Sequence, residues 1–255
     1  MYKTTEITSA EIISDNPVHQ RLLFPYVEAA KIVSGNVLEI GCGWGRGLEL
    51  LTQAASHYTG IDKNLALIES LQKQYPQSRF IQANIPPLSD LPDNTFDYIV
   101  TFQVIEHIEN DDLFVKEAHR VLKPGGTLLL TTVNRLFSLT RNPWHVREYT
   151  AQELQALISR YFPTVKTEGI HGNAKVMDYY EQNKKSVEKF TRFDVLNLQY
   201  RLPRWMLQIP YDILNRMNRN QLHEQGGLAA EIRHTDYVRS ANPAGSLDFF
   251  YMATK

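Results

Sequence analysis

Residues 37–47, VLEIGCGWGRG, place glycines at 41, 43, 45 and 47 behind a short apolar run. An apolar run ending in glycines reads as a buried strand feeding a tight turn, whose bare backbone can approach a nucleotide closely. A phosphate-binding loop would need GxxxxGK followed by Ser or Thr; Arg46-Gly47-Leu48 stands there instead. A dinucleotide fingerprint needs G-x-G-x-x-G, and its third glycine falls on Arg46 or Leu48 in the two available registers. The pattern present is Glu39-x-Gly41-x-Gly43-x-Gly45. A carboxylate at the strand end repels a pyrophosphate and suits a ligand that carries an ammonium or a sulfonium.

The elements that must hold this loop follow from periodicity. Val37–Ile40 and HYTGI, ending at Ile61, read as strands, and each is followed by a helical apolar face (Leu48, Leu51, Ala54; Leu65, Ile68, Leu71). Two such units in succession make a parallel sheet the economical arrangement. Further strands are read at Arg79–Gln82, at FDYIVTF and at GTLLLTTVN, with DDLFVKEAHRVL as a helix between the last two. Thr150 and Glu153 form a capping box ahead of Leu154, Leu157 and Ile158. From about 171 to 240 the rhythm changes to long helical stretches with a local charge of +3, against −4 for the remainder. SLDFFYMA then reads as a last strand that could not form a core alone.

Composition narrows the function classes. The chain has 255 residues, 43% of them hydrophobic, and a formal net charge of −1. No global field draws it to nucleic acid or anionic lipid. A single cysteine, Cys42, rules out an intrachain disulfide. There is no run of 18 apolar residues, and MYKTTEITSAEI lacks the basic and apolar regions of a signal peptide. A cytoplasmic location is the expectation.

With VLEIGCGWGRG, GID at 60–62, FDYIVTFQVIEHI at 96–108 and VLKPGGTLLLTT at 121–132, the chain resembles the class I S-adenosylmethionine-dependent methyltransferases, especially the branch with ubiquinone and menaquinone biosynthetic enzymes. The resemblance spans roughly 36–165 and recurs at the final strand. It implies an α/β fold: a Rossmann-like, seven-stranded, mostly parallel sheet with helices on both faces and a helical insertion before the last strand. The implied organisation is an N-terminal helical segment over the site (1–35), a cofactor-binding core (36–170), an insertion serving as cap, lid or dimer surface (171–240) and a closing strand (241–255).

Carried over by position, Gly41, Gly43 and Gly45, with Cys42 between them, would wrap the methionine part of the cofactor, and Glu39 would support that loop or its amino group. Asp62, with Lys63 beside it, would accept the ribose hydroxyls; a helix N-cap is its structural alternative. Asn84 stands where the family has an aspartate near adenine, and its carbonyl can still accept that hydrogen bond. Ile85 would cover adenine, while Gln103 and Val104 would border the methionine end.

Methyl transfer from a sulfonium is an in-line displacement that needs alignment and, for some nucleophiles, a base. His107 occupies a family position facing the acceptor, with packing or capping as its structural alternative. Quinone-pathway relatives hold a divalent metal with extra carboxylates in this segment; here Gln103 and Val104 replace them, so no metal is expected. The loop NPWHVREYT follows the fifth strand, at the mouth of the same cleft. Its Trp144, His145, Arg147 and Tyr149 offer stacking surface, a second candidate base and a fixed cation; Arg147 hints at an anionic acceptor, with a pairing to Glu148 or a distant acid as its structural alternative. His19, on a helix predicted to fold over the site, could reach the acceptor too. The run FDVLNLQYRLPRWMLQIPYDIL is amphipathic and reads as core packing, a lid, or a membrane contact that the lack of a lysine-rich face disfavours.

The expected function is methyl transfer from S-adenosylmethionine, leaving S-adenosylhomocysteine, to a small molecule, by a monomer or homodimer without nucleic-acid partners. Oxygen is the favoured acceptor because a histidine base helps a hydroxyl most; carbon and nitrogen stay open. The rivals are a non-catalytic methyltransferase-like scaffold and an NAD(P)-dependent oxidoreductase. Protein or RNA methylation lacks support, since TFQV replaces an amine-clamping NPPY-type motif.

Overall fold

A computed structural model of the protein describes residues 12–255 except 193, 195 and 196. The opening MYKTTEITSAE and the Phe193, Val195 and Leu196 of the amphipathic run therefore lie outside the described residues.

Five strands form the parallel half of the sheet: β1 (Asn36–Ile40), β2 (His57–Asp62), β3 (Arg79–Gln82), β4 (Phe96–Phe102) and β5 (Leu122–Val133). β6 (Thr164–Gly172), β7 (Tyr237–Ser240) and β8 (Asp248–Thr254) complete it by antiparallel pairing, in the order β3-β2-β1-β4-β5-β8-β6-β7. The sheet thus has eight strands where seven are read from the sequence. The addition is β7, four residues long and paired at the edge with β6.

Alternate residues of the central strands enter two cores. Leu38, Ile99, Leu128, Leu130 and Tyr251 face one side, against Phe114 and Val115 of α4 (Asp111–Val121) and Leu154 and Ile158 of α5 (Ala151–Ile158). Val37, Val100, Leu129 and Phe250 face the other, against Phe24 and Tyr26 of α1 (Asn16–Ala29), Leu48 and Leu51 of α2 (Leu48–Ala54) and Ile68 of α3 (Leu65–Gln74). A sheet covered on both faces needs continuous apolar strands, which is why VLEI and FDYIVTF do not alternate with polar residues. The Thr150–Glu153 capping box is formed and starts α5.

After β6 come α6 (Ala174–Thr191), the one-turn α7 (Leu198–Arg201), α8 (Arg204–Gly226) and the short α9 (Leu228–Glu231). α8 is held on the N-terminal segment by Asp15, which is fully buried and receives both Nη atoms of Arg216 at 2.9 Å and Nη1 of Arg219 at 3.0 Å. The outer side of α8 exposes Trp205, Met206, Ile209, Ile213, Leu214 and Met217. No described helix is long and apolar enough to cross a membrane.

Removing one partner of a buried ion pair costs about 3–5 kcal/mol when the other charge stays buried. Arg216 keeps some access to water, so Asp15→Asn should cost less, about 2–3 kcal/mol. Urea unfolding checks the loss, and hydrogen exchange should localise the loosening to α8; a change under 0.5 kcal/mol would contradict this role.

Candidate active site

The glycine loop leaves β1 at Gly41, whose φ of +81° is costly for any residue with a Cβ. A side chain there would also strike Val104, 2.4 Å from an ideal Cβ. Gly43, at φ +53°, faces open space instead. Gly41 N and Cys42 N both donate to Ile61 O, at 2.8 and 3.0 Å, so the end of β2 sets the turn. Asp62 is almost completely buried; its Oδ2 accepts from Gly43 N at 3.0 Å and its Oδ1 from Asn64 N at 2.9 Å. Each carboxylate oxygen retains a lone pair for a further donor. The helix-cap role open from the sequence belongs to Asn64, whose side chain caps α3.

Glu39 does not reach the open side of the loop. It is 1% exposed, with Oε1 accepting from Tyr26 Oη at 2.7 Å and Oε2 from Tyr58 Oη in a very short bond. Burial pushes its carboxyl above the usual range, against the tyrosine hydrogen bonds, which favour the charged form. Burial, reinforced by the Glu39 charge, pushes both phenols well up, so they stay protonated donors. Tyr26 comes from α1, and its ring lies where a Cβ on Gly47 would fall, 1.9 Å from Cδ1. One carboxylate thus ties α1, β1, β2 and the loop together. Cys42 is buried and its thiol is pushed far up by burial, which makes it packing for the loop.

Around the loop, Lys63 and Asn84 are exposed and Ile85 is half-buried. Gln103 takes a φ of +56° immediately after β4, and its Nε2 donates to Asp248 Oδ1 at 3.2 Å. The following Val104 packs on Gly41. From α1, His19 stacks on Trp44 with ring centroids 6.2 Å apart and bonds Arg46 through Nδ1. Burial, helped by the Arg46 charge, lowers its pKa to about 4.

Glu106, His107 and His145 converge: their ligand atoms lie within 4.8 Å of one another, the one such group among the described residues that could hold a metal ion. Glu106 is buried, accepts from Thr132 Oγ1 at 2.9 Å, and is pushed up by burial. His107 Nδ1 donates to Trp144 O at 2.9 Å, which leaves Nε2 as the unprotonated nitrogen. His145 Nδ1 meets Glu148 Oε1 at 2.7 Å, and its Nε2 meets Asn142 Nδ2 at 2.9 Å. Asn142 Oδ1 accepts from Trp144 N, so Nδ2 is the donor, and His145 carries its proton on Nδ1 and a lone pair on Nε2. A metal on His145 would have to displace Asn142 or Glu148.

The other members of the loop point elsewhere. Arg147 and Tyr149 both bond Asp111 Oδ2 at the start of α4, and Trp144 Nε1 donates to Asp212 of α8 at 3.0 Å. None of the three lines the cavity that His145 borders. That cavity, of about 230 Å³, lies beyond the end of β5 between α1, α6 and α8. His145 and Glu148 border it, together with Arg21, Asn134, Asn142 and Asn218. Arg21 is clamped by Asp248, with Nε to Oδ2 at 2.5 Å and Nη2 to Oδ1 at 2.6 Å. Asp248 joins Arg21 at the cavity to Gln103 at the loop. Sequence reasoning missed Asp248 and Glu148 as site residues; an acidic side chain opening an apolar strand was the one signal for Asp248.

Residues 38–130 match the family model described as a methyltransferase domain. A Mycolicibacterium smegmatis protein described as a probable S-adenosylmethionine-dependent methyltransferase is 40% identical over 146 residues, covering 55% of this chain and 54% of that one. The chain thus spans about half the length of that relative. The rat mitochondrial ubiquinone biosynthesis O-methyltransferase is 34% identical over 116 residues, covering 42% and 34% of the two chains. A solved Thermotoga maritima structure described as a SAM-dependent methyltransferase superposes with a TM-score of 0.57 at 16% identity, over 93% of this chain and 91% of that one. That likeness establishes the fold.

The His19 shift carries a sign. The unfolded ring titrates near 6.5, so between there and about 4 the unfolded state binds the extra proton. Stability should therefore fall as pH drops from 6.5 toward 4 and hold its His19 share above that window. Urea unfolding of wild type and His19→Gln at pH 7 and 5 tests this: the loss on acidification should shrink in the variant, and an equal loss in both would contradict it.

Proposed function

We propose that this chain, which carries a class I S-adenosylmethionine-dependent methyltransferase domain, methylates a hydroxyl of a small molecule bound in the cavity beneath α6 and α8. The observation that carries this reading is the hydrogen-bonded series Asn142–His145–Glu148 at the cavity wall, one imidazole away from Glu106. When bound, S-adenosylmethionine supplies an electrophilic methyl carbon on sulfur, and the pair of the broken C–S bond returns to sulfur to give S-adenosylhomocysteine.

The residues fit that cofactor. Gly43 leaves open the space that a side chain would fill, and Asp62 has lone pairs for the ribose hydroxyls beside it. Val104 and Gln103 would border the methionine end, and Ile85 and Asn84 would adjoin the adenine. On this reading Glu39 holds the loop from behind, through Tyr26 and Tyr58.

On the acceptor side, His145 Nε2 takes the proton that leaves the hydroxyl as its oxygen bonds the methyl carbon. Glu148 holds the opposite nitrogen protonated and stabilises the imidazolium that results, as a carboxylate behind a histidine base does. The Asn142 amide marks the donor position that the acceptor hydroxyl takes over. His107 abuts His145 edge-on, with ring centroids 5.0 Å apart, and acts as a positioning residue.

Two variants separate the halves of the site, read by transfer of labelled methyl from S-adenosylmethionine to an extract of small molecules. Asp62→Ala should weaken S-adenosylmethionine binding by about tenfold or more, the loss expected when hydrogen bonds to a buried charged partner go. His145→Asn should lower turnover by about 10²-fold or more, the usual scale for a general base, with cofactor affinity within about twofold. Unchanged turnover in His145→Asn would leave alignment alone as the source of catalysis.

A further inference from the structure

On the wall of the cavity beneath α6 and α8, Arg21 is held by Asp248, and Arg219 shares the buried Asp15 with Arg216. The polar groups left over are neutral amides and phenols.

Asn218 decides what those groups ask for. Its side chain is 6% exposed and Nδ2 donates to Asn183 Oδ1 at 2.6 Å, but Oδ1 has no hydrogen-bond partner. A buried carbonyl oxygen without a donor is costly and is rare in native proteins unless a ligand or water completes it. Asn183, on α6, accepts through Oδ1 and keeps its own Nδ2 hydrogens for a partner. Side by side, the two amides offer one strong acceptor and a pair of donors. Adjacent hydroxyls on a ring complement that pattern, because each hydroxyl both donates and accepts. An aromatic acceptor with one hydroxyl would satisfy His145 and leave Asn218 orphaned.

Placement agrees with this. Asn215 and Asn218 share one face of α8, opposite its exposed Ile209, Ile213 and Met217. Tyr179 and Tyr180 of α6 also line the cavity, whose volume is about 230 Å³.

We infer that the methyl acceptor is a hydroxyl-rich ring, a saccharide unit, read at two neighbouring hydroxyls by Asn218 and Asn183. The inference rests on the methyltransferase reading above and deepens it.

Saturation-transfer NMR on the full chain, loaded with S-adenosylhomocysteine, tests it. The probes are methyl α-glucopyranoside, methyl α-mannopyranoside and methyl α-galactopyranoside, with catechol and 4-hydroxybenzoate as aromatic controls. The expected result is transfer to at least one glycoside, its affinity falling tenfold or more in Asn218→Leu with S-adenosylhomocysteine affinity within twofold. Asn183→Leu serves the same purpose if Asn218→Leu does not fold. Transfer to the aromatics with silent glycosides overturns the inference and leaves the methyltransferase reading intact. So does glycoside binding that both variants retain, or silence from every probe on loaded protein. Failure of S-adenosylhomocysteine to bind at all removes the methyltransferase reading and this inference with it.

Discussion

A carboxylate with almost no exposure must be given partners or give up its charge, and Glu39 is given two. Tyr26 brings one hydroxyl from α1 and Tyr58 another from β2, so satisfying Glu39 also fixes where α1 lies and how far β1 and β2 extend beneath the loop. The same Tyr26 ring fills the space that only a glycine at 47 leaves. A loop of positive-φ glycines is floppy in isolation. Here its back is held by this clasp and its front by the Asp62 carboxylate on Gly43 N. Both holds exist before any ligand arrives, which lowers the ordering cost of binding.

From this anchor α1 works in two directions. Tyr26 and His19 face the glycine loop, while Arg21 reaches the cavity and locks onto Asp248. Asp248 in turn holds Gln103, next to the Val104 that seats Gly41. The glycine loop and the cavity are therefore joined by a short series of charged and polar contacts across the ends of β4 and β8. In-line transfer depends on such alignment far more than on any single group.

Much of this was legible in the residues themselves. The Glu39-x-Gly41-x-Gly43-x-Gly45 pattern, the parallel strand–helix units and the Thr150–Glu153 cap are local, so short-range sequence carries them. The relatives match the methyltransferase domain broadly, and the ubiquinone-type likeness spans less than half of this chain. What could not be read depends on partners far away in the chain. Arg147 looked like a hand for an anion until Asp111, thirty-six residues earlier, took it. Glu39 looked aimed at the ligand because its two tyrosines lie on other elements. Asn183 and Asn218 are thirty-five residues apart on two helices, and only helix packing brings them together.

A glycine loop clasped from behind by Glu39 suits S-adenosylmethionine and not a dinucleotide. Calorimetric titration of cofactor-stripped protein with S-adenosylhomocysteine, alongside NADH, tests it on wild type and on Tyr58→Phe, which removes one arm of the clasp. The account predicts one-to-one binding of S-adenosylhomocysteine, no binding of NADH, and a clear loss of affinity in the variant. Binding of NADH alone, or silence from S-adenosylhomocysteine, would contradict it.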